Sequence, residues 1–94
     1  MLIRIVKMSF KADKIEEFLS TFKVHKTKIR NSEGCCHLEL LRDKNNVNIF
    51  FTYSHWKDEQ DLENYRNSDL FNEVWAKTKV LFNDRPEAWS LERY

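Results

Sequence analysis

The run Gly34-Cys35-Cys36-His37-Leu38-Glu39-Leu40-Leu41-Arg42-Asp43-Lys44-Asn45-Asn46-Val47-Asn48-Ile49-Phe50-Phe51-Thr52-Tyr53-Ser54-His55-Trp56 decides how this chain folds. Residues 35–43 and 49–56 are rich in apolar and aromatic side chains, which suit a pleated, half-buried surface. Between them, Lys44 to Asn48 carries three asparagines, and asparagine favours turns because its side chain hydrogen-bonds the nearby backbone. The segment predicts a β-hairpin of two antiparallel strands.

Working outward from the hairpin toward the N-terminus, Asn31-Ser32-Glu33-Gly34 ends a different pattern, and Gly34, the only glycine of the 94 residues, can supply a left-handed stop. From about Lys11 to Asn31, Ile15, Phe18, Leu19, Phe22, Lys26 and Ile29 recur at helical spacing, with Asp13, Lys14, Glu16, Glu17, Lys23 and Lys28 on the other side. One face of this helix packs and the other is solvated, with His25 near the polar edge. Residues 2–10, Leu-Ile-Arg-Ile-Val-Lys-Met-Ser-Phe, read as a strand. On the C-terminal side, 58–66 predicts a short helix with Asp58 as N-cap and Glu59 and Asp61 in its first turn, where the helix dipole favours negative charge. Ser68 or Asp69 can cap a second helix whose apolar face is Phe71, Val74, Trp75, Thr78 and Phe82. Residues 83–87, which hold the only proline, form a loop, and 88–94 alternate as a last strand. The order strand, helix, strand, strand, helix, strand predicts one domain over residues 1–94. Its class is α+β: a ferredoxin-like βαββαβ fold with a four-stranded antiparallel sheet and helices on one face.

That layering leaves the second face of the sheet uncovered although it carries apolar and aromatic side chains. Seven Phe, three Trp and three Tyr make 14% of the chain aromatic, more large apolar surface than a thin two-layer domain readily covers. A homodimer packed through the sheet faces, a dimeric α+β barrel, is the expected solution. Charge argues against a nucleic-acid partner, because Lys plus Arg number 16, Asp plus Glu 15, and the net charge of +1 is interspersed along the chain. No apolar run approaches the ~18–20 residues of a membrane span, and the N-terminus lacks the pattern of a secretory signal, so the expected setting is cytoplasmic, with no membrane partner.

One glycine excludes phosphate loops and dinucleotide fingerprints. No Gly-x-Ser-x-Gly elbow, His-Glu-x-x-His helix or Cys-x-x-Cys pair occurs, so hydrolase and zinc readings have no support and no metal is expected. Cys35 and Cys36 are adjacent, which on a strand points them to opposite faces; reduced thiols are expected. His37 and His55 fall at the same level of the hairpin, but whether they share a face turns on a one-residue choice of register. Tyr53, His55, Trp56, Tyr65, Phe71 and Trp75 gather more aromatic and titratable groups than any other stretch. Such a cluster is either an aromatic core or the wall of an apolar small-molecule pocket with a few polar handles.

The Gly34-Cys35 strand opening, Arg42-Asp43 before the turn, and a strand ending in aromatic-x-x-Trp followed by an acidic helix start resemble the antibiotic biosynthesis monooxygenase (ABM) family across residues 2–94. The resemblance implies dimers of ferredoxin-like subunits that oxidise quinols or polycyclic phenols with molecular oxygen and no cofactor. Trp56 falls on the family's tryptophan, whereas Ser54 stands where glutamate is frequent and Tyr65 where histidine is frequent. The haem-degrading branch of the fold uses a first-strand asparagine, a tryptophan at the position of Tyr65 and a histidine at that of Trp75, none of which is present. On this reading the substrate is a small aromatic, His55 or His37 is the catalytic base, Tyr53, Trp56, Tyr65, Phe71 and Trp75 bind the substrate, and Arg4 or Lys7 pairs with an anion. The competing expectation is a non-enzymatic dimeric ligand-binding or stress-response domain, since fold does not dictate function.

Overall fold

In a computed structural model describing residues 1–94, the chain forms β1 (Leu2–Ser9), α1 (Ile15–Arg30), β2 (Cys35–Arg42), β3 (Ile49–Trp56), α2 (Glu59–Arg66), α3 (Asp69–Lys79) and β4 (Glu87–Glu92). A short 3₁₀ turn, Ala12–Lys14, precedes α1 where the sequence predicts helix from Lys11. Glu16 and Glu17 in the first turn of α1 and Lys28 and Arg30 in the last complement its dipole. Gly34 has φ +82°, and a Cβ there would collide with the Asp61 side chain, so both conformation and close approach require glycine. The Asp58 carboxylate accepts from the Asp61 N–H to cap α2, and the Ser68 hydroxyl accepts from the Phe71 N–H to cap α3. Phe82, expected on the face of α3, lies beyond the helix and bridges to Phe10.

The sheet order is β2-β3-β1-β4 with every pair antiparallel, the ferredoxin-like arrangement. Even-numbered residues of β1 and β3 face the helices: Met8 and Phe50 pack with Phe10, Ile15, Phe18, Phe22 and Leu81 in the main core. A smaller cluster joins Cys35, Trp56 and Leu62. A β-bulge at Cys36 lets Cys35 oppose Trp56 and His37 oppose His55. Both cysteines are free thiols, and burial raises the pKa of Cys35 above its ordinary value.

The strand alternation sends Ile5, Phe51, Tyr53, His55, Trp89 and Leu91 to the other face, which no helix of the chain covers. There Leu41, Trp89 and Leu91 are 44%, 42% and 46% exposed. Strand β4 is exposed at all of its positions. No helix is long and apolar enough to cross a membrane.

Candidate functional site

A cavity of about 320 Å³ lies between the sheet and the three helices. Its floor is the helix side of β1 and β3, and its walls come from α1, α2 and α3, with Pro86 and Ala88 at the β4 rim. Trp56, last residue of β3 and 1% exposed, is fixed by an indole N–H donated to Ser54 Oγ at 3.0 Å. Ser54 Oγ in turn donates to the Arg4 carbonyl at 3.5 Å. Tyr65 stacks on Trp56 with centroids 5.1 Å apart, Phe71 meets Tyr65 edge-on at 5.3 Å, and Trp75 lies parallel to Phe71 at 5.8 Å. The break between α2 and α3 sets this ladder, because the Ser68 hydroxyl donates to the Tyr65 carbonyl at 2.6 Å while accepting from the Phe71 N–H at 3.1 Å.

The polar groups of the cavity are Arg4, Thr52, Ser54, Tyr65, Arg66, Thr78 and Glu87. Arg4 donates from Nη1 to Ser90 Oγ at 2.9 Å. Burial, and then the nearby Arg66 charge, lower its pKa from the usual guanidinium value, with Glu63 offsetting part of the effect. Arg66 Nη1 sits 3.7 Å from Glu63 Oε2. Burial and the neighbouring Cys35 push the Tyr65 hydroxyl up to about 12, so at neutral pH it is a hydrogen-bond donor and not a base.

Of the residues singled out from the sequence, Trp56, Tyr65, Phe71 and Trp75 line this cavity together. The structure does not bring His37, His55 or Tyr53 to it. The hairpin register makes His37 and His55 direct partners on the uncovered face, with ring centroids 5.2 Å apart and Tyr53 5.0 Å from His55. There His37 Nε2 is 3.4 Å from Glu39 Oε1, and the buried His55 Nε2 has no hydrogen-bond partner. Lys7 shares that face and pairs with Glu87 at 3.9 Å, leaving Arg4 as the strand cation of the cavity. His25 corrects the sequence reading: it is buried, not at a polar edge, with Nδ1 2.8 Å from the Thr21 carbonyl and Nε2 3.5 Å from Glu73, joining α1 to α3. No three His, Cys, Asp or Glu side chains converge closely enough to hold a metal ion.

Sequence reasoning missed Arg66 and Thr78 as cavity residues and treated Ser54 only as a departure from a family pattern. The i, i+2 spacing of Ser54 and Trp56, which puts both on one side of a strand, was the available signal. For Arg66 there was none, since its meeting with Arg4 depends on how α2 packs on the sheet.

A four-stranded antiparallel sheet backed by three helices, with an aromatic cavity between the layers, defines a ferredoxin-like α+β domain. The sequence model for antibiotic biosynthesis monooxygenase matches residues 1–77, and the chain belongs to that family. A conserved protein from Methanosarcina mazei Go1 superposes with TM-score 0.93 at 25% identity, covering 100% of this chain and 94% of that one. A crystal structure of an antibiotic biosynthesis monooxygenase gives TM-score 0.93 at 17% identity, covering 100% and 99%. Rv0793 from Mycobacterium tuberculosis gives 0.90 at 14% identity, covering 99% and 94%. No curated protein sequence matches the chain.

Proposed function

We propose that this protein is a monooxygenase that oxidises a small phenol or quinol in the cavity with molecular oxygen and no bound cofactor, as a homodimer joined through the uncovered sheet faces. The observation that carries the reading is the cavity itself, an aromatic slot in an ABM chain with two guanidinium groups, Arg4 and Arg66, in its lining. A simple phenol ionises near pH ~10, and a cation within ~4–6 Å favours its anion by roughly 1 to 3 pKa units. Arg4 and Arg66 supply that field, the Tyr65 hydroxyl donates a hydrogen bond, and the proton passes to water. The electron-rich phenolate transfers one electron to oxygen. The resulting superoxide and phenoxyl radical combine at a ring carbon, and the hydroperoxide formed after proton transfer loses water to give a quinone. One oxygen atom ends in the product and the other in water, so no further reductant is needed. The aromatic walls exclude solvent from the reacting ring.

In such a dimer the catalytic-base candidates His37 and His55 would sit, with Tyr53, at the subunit interface. Their position on the far side of the sheet favours a second reading, a dimeric domain that binds an aromatic ligand without turning it over. Oxygen consumption by the purified protein against a panel of hydroquinones, with and without chelator, separates the two. Uptake that survives chelation and follows protein concentration is expected; no uptake with any hydroquinone leaves the binding domain.

A further inference from the structure

The cavity lining holds two guanidinium groups, Arg4 and Arg66, against one carboxylate, Glu87, which is paired with Lys7, and this is more positive charge than a neutral phenol requires. A guanidinium has five N–H donors, and Arg4 engages one side-chain acceptor, Ser90 Oγ. No carboxylate lies within ion-pair distance of Arg4: the acidic partners along this edge are Glu63, 3.7 Å from Arg66, and Glu87, 3.9 Å from Lys7 on the other face. Arg66 makes a single long contact to Glu63 and is about half exposed, so its remaining donors are also free. Arg4 and Arg66 both line the cavity and lie near enough for the Arg66 charge to act on Arg4, and Glu63 offsets only part of that repulsion, so an anion joining the two is favourable.

We infer that the ligand of this cavity is a hydroxyarene carboxylate, its carboxylate held by Arg4 and Arg66 and its rings lying along Tyr65, Phe71 and Trp75. This rests on the cavity being the ligand site, as in the proposed function, and adds the substrate class. A phenol arrives neutral at pH 7, whereas a carboxylate with a pKa of ~4 arrives charged and presents two oxygens to planar donor forks. Desolvation, which lowers the proton affinity of Arg4, strengthens the attraction for an anion that reaches it. Size narrows the class further. At about 320 Å³ the cavity is at the lower end of the ~300–1,000 Å³ of small-molecule sites, which suits one or two rings and excludes extended polycycles.

The test is calorimetric titration of the full-length protein with 1-hydroxy-2-naphthoate and with 1-naphthol, which differ by the carboxylate. Wild type is expected to bind the naphthoate roughly 10- to 100-fold more tightly, the worth of a hydrogen-bonded charge. Arg4→Gln and Arg66→Gln should each remove most of that preference. Arg66 is on an exposed helix end, so its variant reports even if Arg4→Gln does not fold. Equal or weaker binding of the naphthoate, no binding of either compound, or an undiminished preference in Arg66→Gln overturns the inference. Oxygen uptake measured on the same samples keeps the two ideas apart. A naphthoate preference without turnover leaves the ligand class standing and sinks the oxygenase, and turnover of neutral hydroquinones without the preference does the reverse.

Discussion

Replacing Ser54 by Ala tests whether the wall of the cavity is held by the hydrogen bond from Trp56 Nε1 to Ser54 Oγ. Trp56 and Ser54 are 1% and 6% exposed, and the indole N–H has no other protein acceptor, so losing the hydroxyl strands a buried donor. Stranding a buried donor costs about 1–3 kcal/mol. With a urea dependence of roughly 1–3 kcal/mol per molar for a small domain, a loss of about 2 kcal/mol lowers the unfolding midpoint by about 1 M. Trp56→Phe keeps most of the apolar volume but removes the donor. In that background the same Ser54→Ala change strands nothing on the indole side and should cost less than half as much. Urea unfolding followed by circular dichroism at one fixed protein concentration, for wild type, both single variants and the double variant, yields the coupling directly. A coupling of about 1–2 kcal/mol is expected. A value below about 0.5 kcal/mol would refute the reasoning and leave Trp56 held by packing alone.

Sedimentation at micromolar concentration should give twice the 11.5 kDa chain mass with an interface of at least ~1,600 Å², and Trp89→Glu or Phe51→Glu should yield folded monomer; a compact wild-type monomer contradicts the sheet-to-sheet dimer. Tyr65 ionises at about 12 in the folded protein against 10.0 for the free group, so the unfolded chain releases that proton first as pH rises. The resulting stability is fully present below pH 10 and is lost on going up to about 12, on the order of 2–3 kcal/mol. Tyr65→Phe should flatten this part of the stability profile, and an unchanged slope above pH 10 would show that Tyr65 is not the group responsible. His37→Ala and His55→Ala should leave kcat/KM for a hydroquinone within a few fold while weakening dimerisation; a loss of roughly 10²–10⁴ in rate with the dimer intact would establish a histidine as general base.

The elements were legible in the sequence because each rests on a local rule. Apolar and aromatic richness marked β3 at Ile49–Trp56, helical spacing from Ile15 to Ile29 marked α1, and the caps Asp58 and Ser68 act on N–H groups three residues on. The aromatic cluster was legible too, though not whether it would be core or pocket wall, since Tyr65, Phe71 and Trp75 sit at spacings that a pair of short helices turns to one side. The partition of the candidate site was not. A one-residue shift of register reverses every side chain of a strand, and it is the bulge at Cys36 that sets His37 opposite His55, on the face away from the cavity. His25 is at the edge of the apolar stripe of α1 by spacing, and becomes buried only because α3 lies across it with Glu73 in reach. Arg4 and Arg66, near opposite ends of the matched sequence, meet only when α2 packs on the sheet, since charges so distant along the chain are brought together by tertiary packing and carry no local signature.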